Sequence, residues 1–202
     1  MKKFGFWNRF IENQIDKDFG VKDIDNNIYG LKRFNNKTWM LSNLNVSRFR
    51  NGDPILEART DKEWIDAYDN RVPAWCYYNN DPKYRLFGKL YNIHAVMDYR
   101  GLAPEQFHIP NDNEWDMLVN YVGDQSTAGE KLGESSDFKA YLTGIRGKKG
   151  VFEFMNMVSI FWTSTHSTLE KAWIRVFYFS NKFIGRNDNS EYLGAYVRCV
   201  KD

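Results

Sequence analysis

The reactive side chains of this chain are scattered, and three groupings are worth testing for chemistry. Ser164 and His166 stand two positions apart in Thr163-Ser164-Thr165-His166, a nucleophile beside a base. The stretch has none of the glycines of a nucleophile elbow, and a triad is assembled by the fold rather than by neighbouring positions. Glu153 and Glu191 offer the two carboxylates that a glycosidase needs, but no spacing selects them from 26 acidic residues. Cys76 and Cys199 are the two cysteines. They lie too far apart in sequence for a clustered zinc set, and three scattered histidines do not complete one. The cysteines are either a disulfide in an exported chain or buried free thiols. His94, set among Tyr, Ile, Ala and Val, reads as a hydrogen-bonded core histidine.

Calcium chemistry is the remaining option. Asp23-Ile24-Asp25-Asn26-Asn27 echoes the opening of a calcium loop but lacks the glycine at the sixth position and the glutamate at the twelfth, so it reads as a turn. Asn187-Asp188-Asn189 and Glu191 supply hard oxygens that could contribute to a calcium site, but they read first as a solvated polar turn, so no cofactor is expected.

The elements that position these groups converge on the last forty residues. Phe161 to His166, Ala172 to Phe179 and Gly194 to Val200 are rich in aromatic and β-branched side chains and read as three strands. Ser167 to Lys171 and Ser180 to Leu193 read as polar loops between them, where binding is expected. Alternation sets Trp173, Arg175, Phe177 and Phe179 on one face of the middle strand and Ile174, Val176 and Tyr178 on the other. Both faces are largely apolar, as in a central strand covered on both sides.

Upstream, Val21 to Phe34 reads as a hairpin, and Asp61 to Tyr68 as a short helix with acidic residues at its positive end. Asn79-Asn80-Asp81-Pro82 is a turn, and Gly88 to Val96 is ambiguous between helix and strand. The clearest helix follows Pro110: Asn111 caps it, Glu114 reaches back, Trp115, Leu118, Val119 and Val122 form its apolar stripe, and Gly123 ends it. His108 is expected to support its start by hydrogen bonding. Thr127 to Leu132 adds a turn or two of helix, and Phe138 to Ile145 looks extended. Residues 1–20, with Phe6, Phe10, Ile11 and Ile15, suggest an amphipathic helical extension rather than a signal peptide, because Asn8 and Arg9 interrupt the apolar run.

Composition narrows the class. Of 202 residues, 43% are hydrophobic and 27% charged, an ordinary globular balance, and 17% are aromatic, which suits a packed β-rich core or an aromatic recognition surface. Net charge is +2 with the basic residues dispersed, so a nucleic-acid surface is not expected. No apolar run is long enough to span a bilayer.

The ordered series Asp23 to Tyr29, Lys37 to Met40, Trp75 to Asp81, Gly88 to Asn92, Pro104 to Trp115, Trp162 to Thr165, Ala172-Trp173 and Val197 to Asp202 resembles the Fibrobacter succinogenes major paralogous domain. The likeness covers everything after about Gly20. It implies a C-type-lectin-like fold of the formylglycine-generating-enzyme type: one α+β domain over residues 21–202, with hairpins, one or two packed helices and long irregular loops. It also implies a bacterial cell-surface or secreted protein. Formylglycine-generating enzymes bind copper through neighbouring cysteines, whereas Cys199 here has no cysteine near it in sequence, so a metal-dependent oxidase is not expected.

The carboxy-terminal region also resembles the variable region of retroelement-diversified proteins. That likeness makes Trp162, Trp173 and Phe177 scaffold and Ile174, Tyr178, Asn181, Phe183, Arg186, Asn187, Asn189 and Tyr192 display positions. The expectation is a non-enzymatic recognition module that binds a protein or glycan through residues 166–171 and 178–193. Tyr178, Phe183 and Tyr192 would supply contact area, Asn181, Arg186, Asn187 and Glu191 would orient the ligand by hydrogen bonds, and His166 and Glu170 complete the ligand-binding set. The alternative is a structural or assembly domain that forms homo-oligomers through the amino-terminal helix.

Overall fold

The computed structural model describes residues 20–179, 182–189 and 192–202. The amino-terminal helix and its oligomer contact therefore fall outside the described residues, as do Asn181 and Glu191.

β1 (Val21–Lys22) pairs with β2 (Ile28–Tyr29) around an Asx turn. The Asp23 carboxylate accepts hydrogen bonds from the backbone N–H of Asp25 at 2.8 Å and of Asn27 at 2.9 Å, and from the Tyr29 hydroxyl. These bonds close the turn and leave the carboxylate committed to it. β3 (Leu31–Phe34) and β4 (Lys37–Met40) form the next hairpin, and β5 (Leu56–Glu57) leads to α1 (Asp61–Asp69). Thr60 caps α1 by accepting from Glu63 N–H at 3.2 Å while Glu63 takes the Thr60 N–H at 3.0 Å.

β6 (Ala74–Cys76) precedes two short 3₁₀ turns over Tyr78–Asn80 and Pro82–Phe87. Gly88 to Val96 resolves into both of its candidate forms: β7 (Leu90–Tyr91), then α2 (Ile93–Val96), with Asn92 capping the switch at 3.0 Å from Ala95 N–H. β8 (Phe107–His108) leads into α3 (Asp112–Val122) and α4 (Ala128–Leu132). The capping box of Asn111 and Glu114 is formed, at 2.9 Å and 3.0 Å, and His108 Nε2 supports it by bonding the Glu114 carboxylate at 2.9 Å. The extended piece before Gly147 is confined to β9 (Thr143–Arg146); β10 (Phe152–Met155), β11 (Val158–His166) and β12 (Ala172–Tyr178) follow.

One expectation is corrected here. Ser180 to Leu193 is not a continuous loop: Ile184–Asn189 is a strand, β13, paired with β12 from Ile184↔Phe177 to Asn189↔Ala172. The backbone hydrogen bonds that β12 offers along its free side impose the extended form on a hydrophilic segment. Gly194 to Val197 contributes isolated bridges from Ala195 to Tyr91 and from Tyr196 to Phe161, and the paired strand β14 is Val200–Lys201.

The largest sheet has the order β10-β9-β11-β12-β13, and β14 closes a second sheet, β3-β4-β14-β8, which brings the end of the chain against its first hairpins. The central strands separate two cores. Ile160, Trp162, Ile174 and Val176 face one, with Trp75 and Tyr91; Phe161 and Phe177 face the other, with Trp39, Trp64 and Trp115. β12 is thus the doubly covered strand that its composition predicts, and the overall class is α+β. Three arginines, Arg146, Arg175 and Arg198, are fully buried. Arg198 shows how such a cation is accommodated: it donates to Asn43 Oδ1 and to Phe138 O, each at 2.6 Å, and stacks 4.3 Å from the Phe138 ring.

Candidate functional site: a groove on the open face of the main sheet

The register of β12 and β13 sorts their side chains into two sets. Ile174, Val176 and Tyr178 share a face with Gly185, Asn187 and Asn189; Trp173, Arg175 and Phe177 share the other with Arg186 and Asp188. On the first face a groove of about 670 Å³ has an apolar floor of Ile145, Ile160, Ile174 and Val176, a wall of Asn187 and Asn189, and Tyr178 at one end, and Trp173, Arg186 and Asp188 reach its border. Five of the expected contact residues, Ile174, Tyr178, Arg186, Asn187 and Asn189, line it. Ile174 is only 2% exposed, so it is floor packed into the core rather than a projecting display position. Its alternation with Arg175 across a doubly covered strand leaves it no other place.

Arg186 borders the groove, but its side chain runs to the opposite face, where Nε donates to Asp112 Oδ2 at 2.8 Å and the guanidinium sits 3.5 Å from the centre of the Trp173 ring. Hydrogen bonding to Asp112 raises its pKa above the usual arginine value. Arg175 binds the same carboxylate and also Asp116 Oδ1 at 2.8 Å. The side chains of Arg175 and Arg186 thus tie β12 and β13 to the first turn of α3, where carboxylates already favour the helix dipole. Asp188 also borders the groove, with its carboxylate accepting from Ser167 Oγ at 2.8 Å on the opposite face. Strand alternation therefore separates Asp188 from Asn187 and Asn189, and the three do not converge as a calcium ligand set.

His166, Glu170 and Tyr192 gather elsewhere, at the end of the sheet where the β11–β12 turn meets α1 and α2. Two adjoining depressions share Tyr68, Leu169 and Glu170. The Tyr68 and Tyr192 rings are 4.3 Å apart, and Tyr192 OH donates to Asp69 Oδ1 at 2.8 Å. His94 Nε2 bonds Tyr68 O at 3.1 Å, and burial holds its pKa below the usual histidine value, so the ring is neutral. Leu169 is 99% exposed at the tip of the turn. Sequence reading missed Tyr68 and Asp69 because nothing local marks them; only the long-range packing of α1 against Tyr192 brings them in. Phe183 is half-buried just before β13 and lines neither the groove nor these depressions.

Of the catalytic groupings, the Glu153–Glu191 pair falls outside the described residues at Glu191. No hydrogen bond joins Ser164 and His166 among the described residues, where Ser164 N–H instead donates to Pro110 O at 2.9 Å. Cys76 and Cys199 are free and buried rather than disulfide-linked. Among the described residues, no group of three or more His, Cys, Asp or Glu side chains is placed to hold a metal ion, and no helix is long and apolar enough to cross a membrane.

Fold and groove together define an α+β protein whose main sheet keeps part of one face open beside an edge strand. The chain belongs to the Fibrobacter succinogenes major domain family, whose model matches residues 33–201. Nothing matches it among the curated proteins or among the solved structures.

Proposed function

We propose that this protein is a non-enzymatic recognition module with a C-type-lectin-like fold of the formylglycine-generating-enzyme type, which holds a protein or glycan ligand in the groove beside β13. The observation that carries this reading is the convergence of Tyr178, Asn187 and Asn189 over an apolar floor, on a scaffold fixed by buried arginines and tryptophans. An aromatic rim and adaptable amides over a preformed apolar floor suit binding, and the one carboxylate at the border, Asp188, is already bonded to Ser167. Where close relatives differ, the reading places their differences at Tyr178, Asn187 and Asn189, and not at Ile174 or Arg186.

The test is a screen of the full chain against glycans and bacterial surface proteins, with and without calcium, repeated with the Tyr178→Ala/Asn187→Ala double variant. The double variant should lose binding with its melting temperature nearly unchanged. A large fall in melting temperature would mark both residues as packing, and retained binding would move the site away from the groove.

A further inference from the structure

We propose that the occupant of the groove is an extended segment of a partner polypeptide that lies along β13 and adds a sixth strand to the sheet. This deepens the recognition reading and rests on it.

The first support is the backbone of β13. Ile184 N–H bonds outward to Gln125 O at 2.9 Å. In an antiparallel ladder, residues alternate between pointing both backbone groups inward and both outward. The N–H and C=O of Arg186 and Asp188 therefore point away from β12, and they have no hydrogen-bond partner among the described residues. Such an edge is a template for another chain.

The second support is the missing guard. Edge strands are protected by proline, or by charged side chains standing at the edge. β13 reads Ile184-Gly185-Arg186-Asn187-Asp188-Asn189, with no proline, and its two charged side chains are held on the far face, Arg186 by Asp112 and Asp188 by Ser167. Among the described residues, the edge is left open at Arg186 and Asp188.

The third support is the chemistry beside that edge. Asn187 and Asn189 repeat every second residue, about 7 Å, which is the repeat of like-facing groups in an extended chain. A primary amide both donates and accepts, so each can bond a peptide group or an uncharged side chain of the added strand. A strand bonded to the outer edge of β13 lies about 4.8 Å beyond it, so its side chains on this face meet Asn187 and Asn189 first. The groove floor is apolar, and the two charged side chains at its border are already engaged, Arg186 with Asp112 and Asp188 with Ser167. A neutral glycan has no repeating N–H and C=O to match Arg186 and Asp188. Strand addition uses both features, the backbone for affinity and alternate side chains for selectivity.

The experiment selects a random linear peptide library on the full chain and then replaces each amide of an enriched peptide with its N-methyl form. Methylation should weaken binding about tenfold at every second amide and leave the alternate ones unchanged. Asp188→Pro removes an outward N–H without breaking the ladder and should weaken the same peptide about tenfold, whereas Asp188→Ala should bind as the parent. The methyl scan leaves the protein untouched, so it decides even where the proline variant folds poorly. Failure to enrich any peptide, or N-methyl effects without a period of two, overturns strand addition. Binding of neutral glycans that is lost in Tyr178→Ala, with no peptide enriched, would remove strand addition while leaving the recognition module standing; no binding of either class removes both. A dimer of the full chain that Asp188→Pro converts to monomer would make the occupant a second copy and overturn the partner assignment.

Discussion

The phenol of Tyr178 lies across Gly185 of the neighbouring strand, so that a Cβ at position 185 would stand 3.1 Å from the tyrosine oxygen and 3.2 Å from its ring. The glycine is what lets the ring lie down over β13 and close one end of the groove. Gly185→Val keeps an extended backbone but pushes the ring outward. Tyr178 is partly exposed and has room to swing, so stability should change by less than about 1 kcal/mol. Binding of a groove ligand should fall at least about tenfold. Urea denaturation beside a binding isotherm separates the two, and unchanged affinity would show that Tyr178 is no wall of the site.

Arg175 and Arg186 share Asp112 but differ in burial, and the difference sets their cost. Arg175 is fully buried, and its removal leaves the largely buried Asp112 and the α3 cap short of a partner. Arg175→Ala should destabilise the fold by about 3 kcal/mol. Arg186 is exposed and contributes one surface ion pair and one stacking contact, so Arg186→Ala should cost about 1 kcal/mol or less. Neither substitution touches the apolar floor of the groove. If Arg186→Ala abolishes ligand binding while leaving stability intact, the site lies on the opposite face of the sheet.

These contrasts also mark what was readable from residue types alone. The start of α3 was legible because Asn111, Glu114 and His108 lie within six positions of one another and their chemistry is local. The doubly covered nature of β12 was legible from its alternation of apolar residues. β13 was not, since Ile184–Asn189 has the composition of a turn and takes strand form only because β12 offers it a ladder. The role of Arg186 was hidden for the same reason: its partner Asp112 lies 74 positions away. Ile174 was readable as strand but not as floor, because which face stays open depends on where Ile145 and Ile160 come to lie.

The pair His108 and Glu114 should give stability a defined pH window. The hydrogen bond to Glu114 raises the histidine pKa above its ordinary 6.5. For Glu114, burial alone would raise the pKa; the hydrogen bonds from His108, Lys37 and Asn111 N–H outweigh it and bring the carboxyl down from 4.5 to about 2. A raised histidine stabilises the fold below its unfolded pKa, and that contribution is lost as pH rises through the folded value. A lowered carboxyl stabilises the fold above its unfolded pKa and loses that contribution as pH falls toward the folded value. The pair is therefore fully effective between about pH 4.5 and 6.5. His108→Gln should lower stability inside that window and flatten the decline above it. A parent profile that does not decline as pH rises past the histidine would show that His108 gains nothing from Glu114 on folding.

The thiols supply the sharpest test against redox chemistry in this fold. Burial pushes the Cys76 thiol up to about 12 and raises Cys199 as well, so neither presents a thiolate near neutral pH. At about pH 8, the native protein should resist alkylation by a maleimide at both positions and react at both once unfolded, with the rate following the free energy of opening. The reagent needs the thiolate and a path to it, and both cysteines are buried in the native state. Copper ligation or oxygen activation by sulfur needs the same two things. A single native cysteine that reacts as fast as a free thiol would mean an accessible, ionised sulfur, and would restore the oxidase as a rival to ligand recognition.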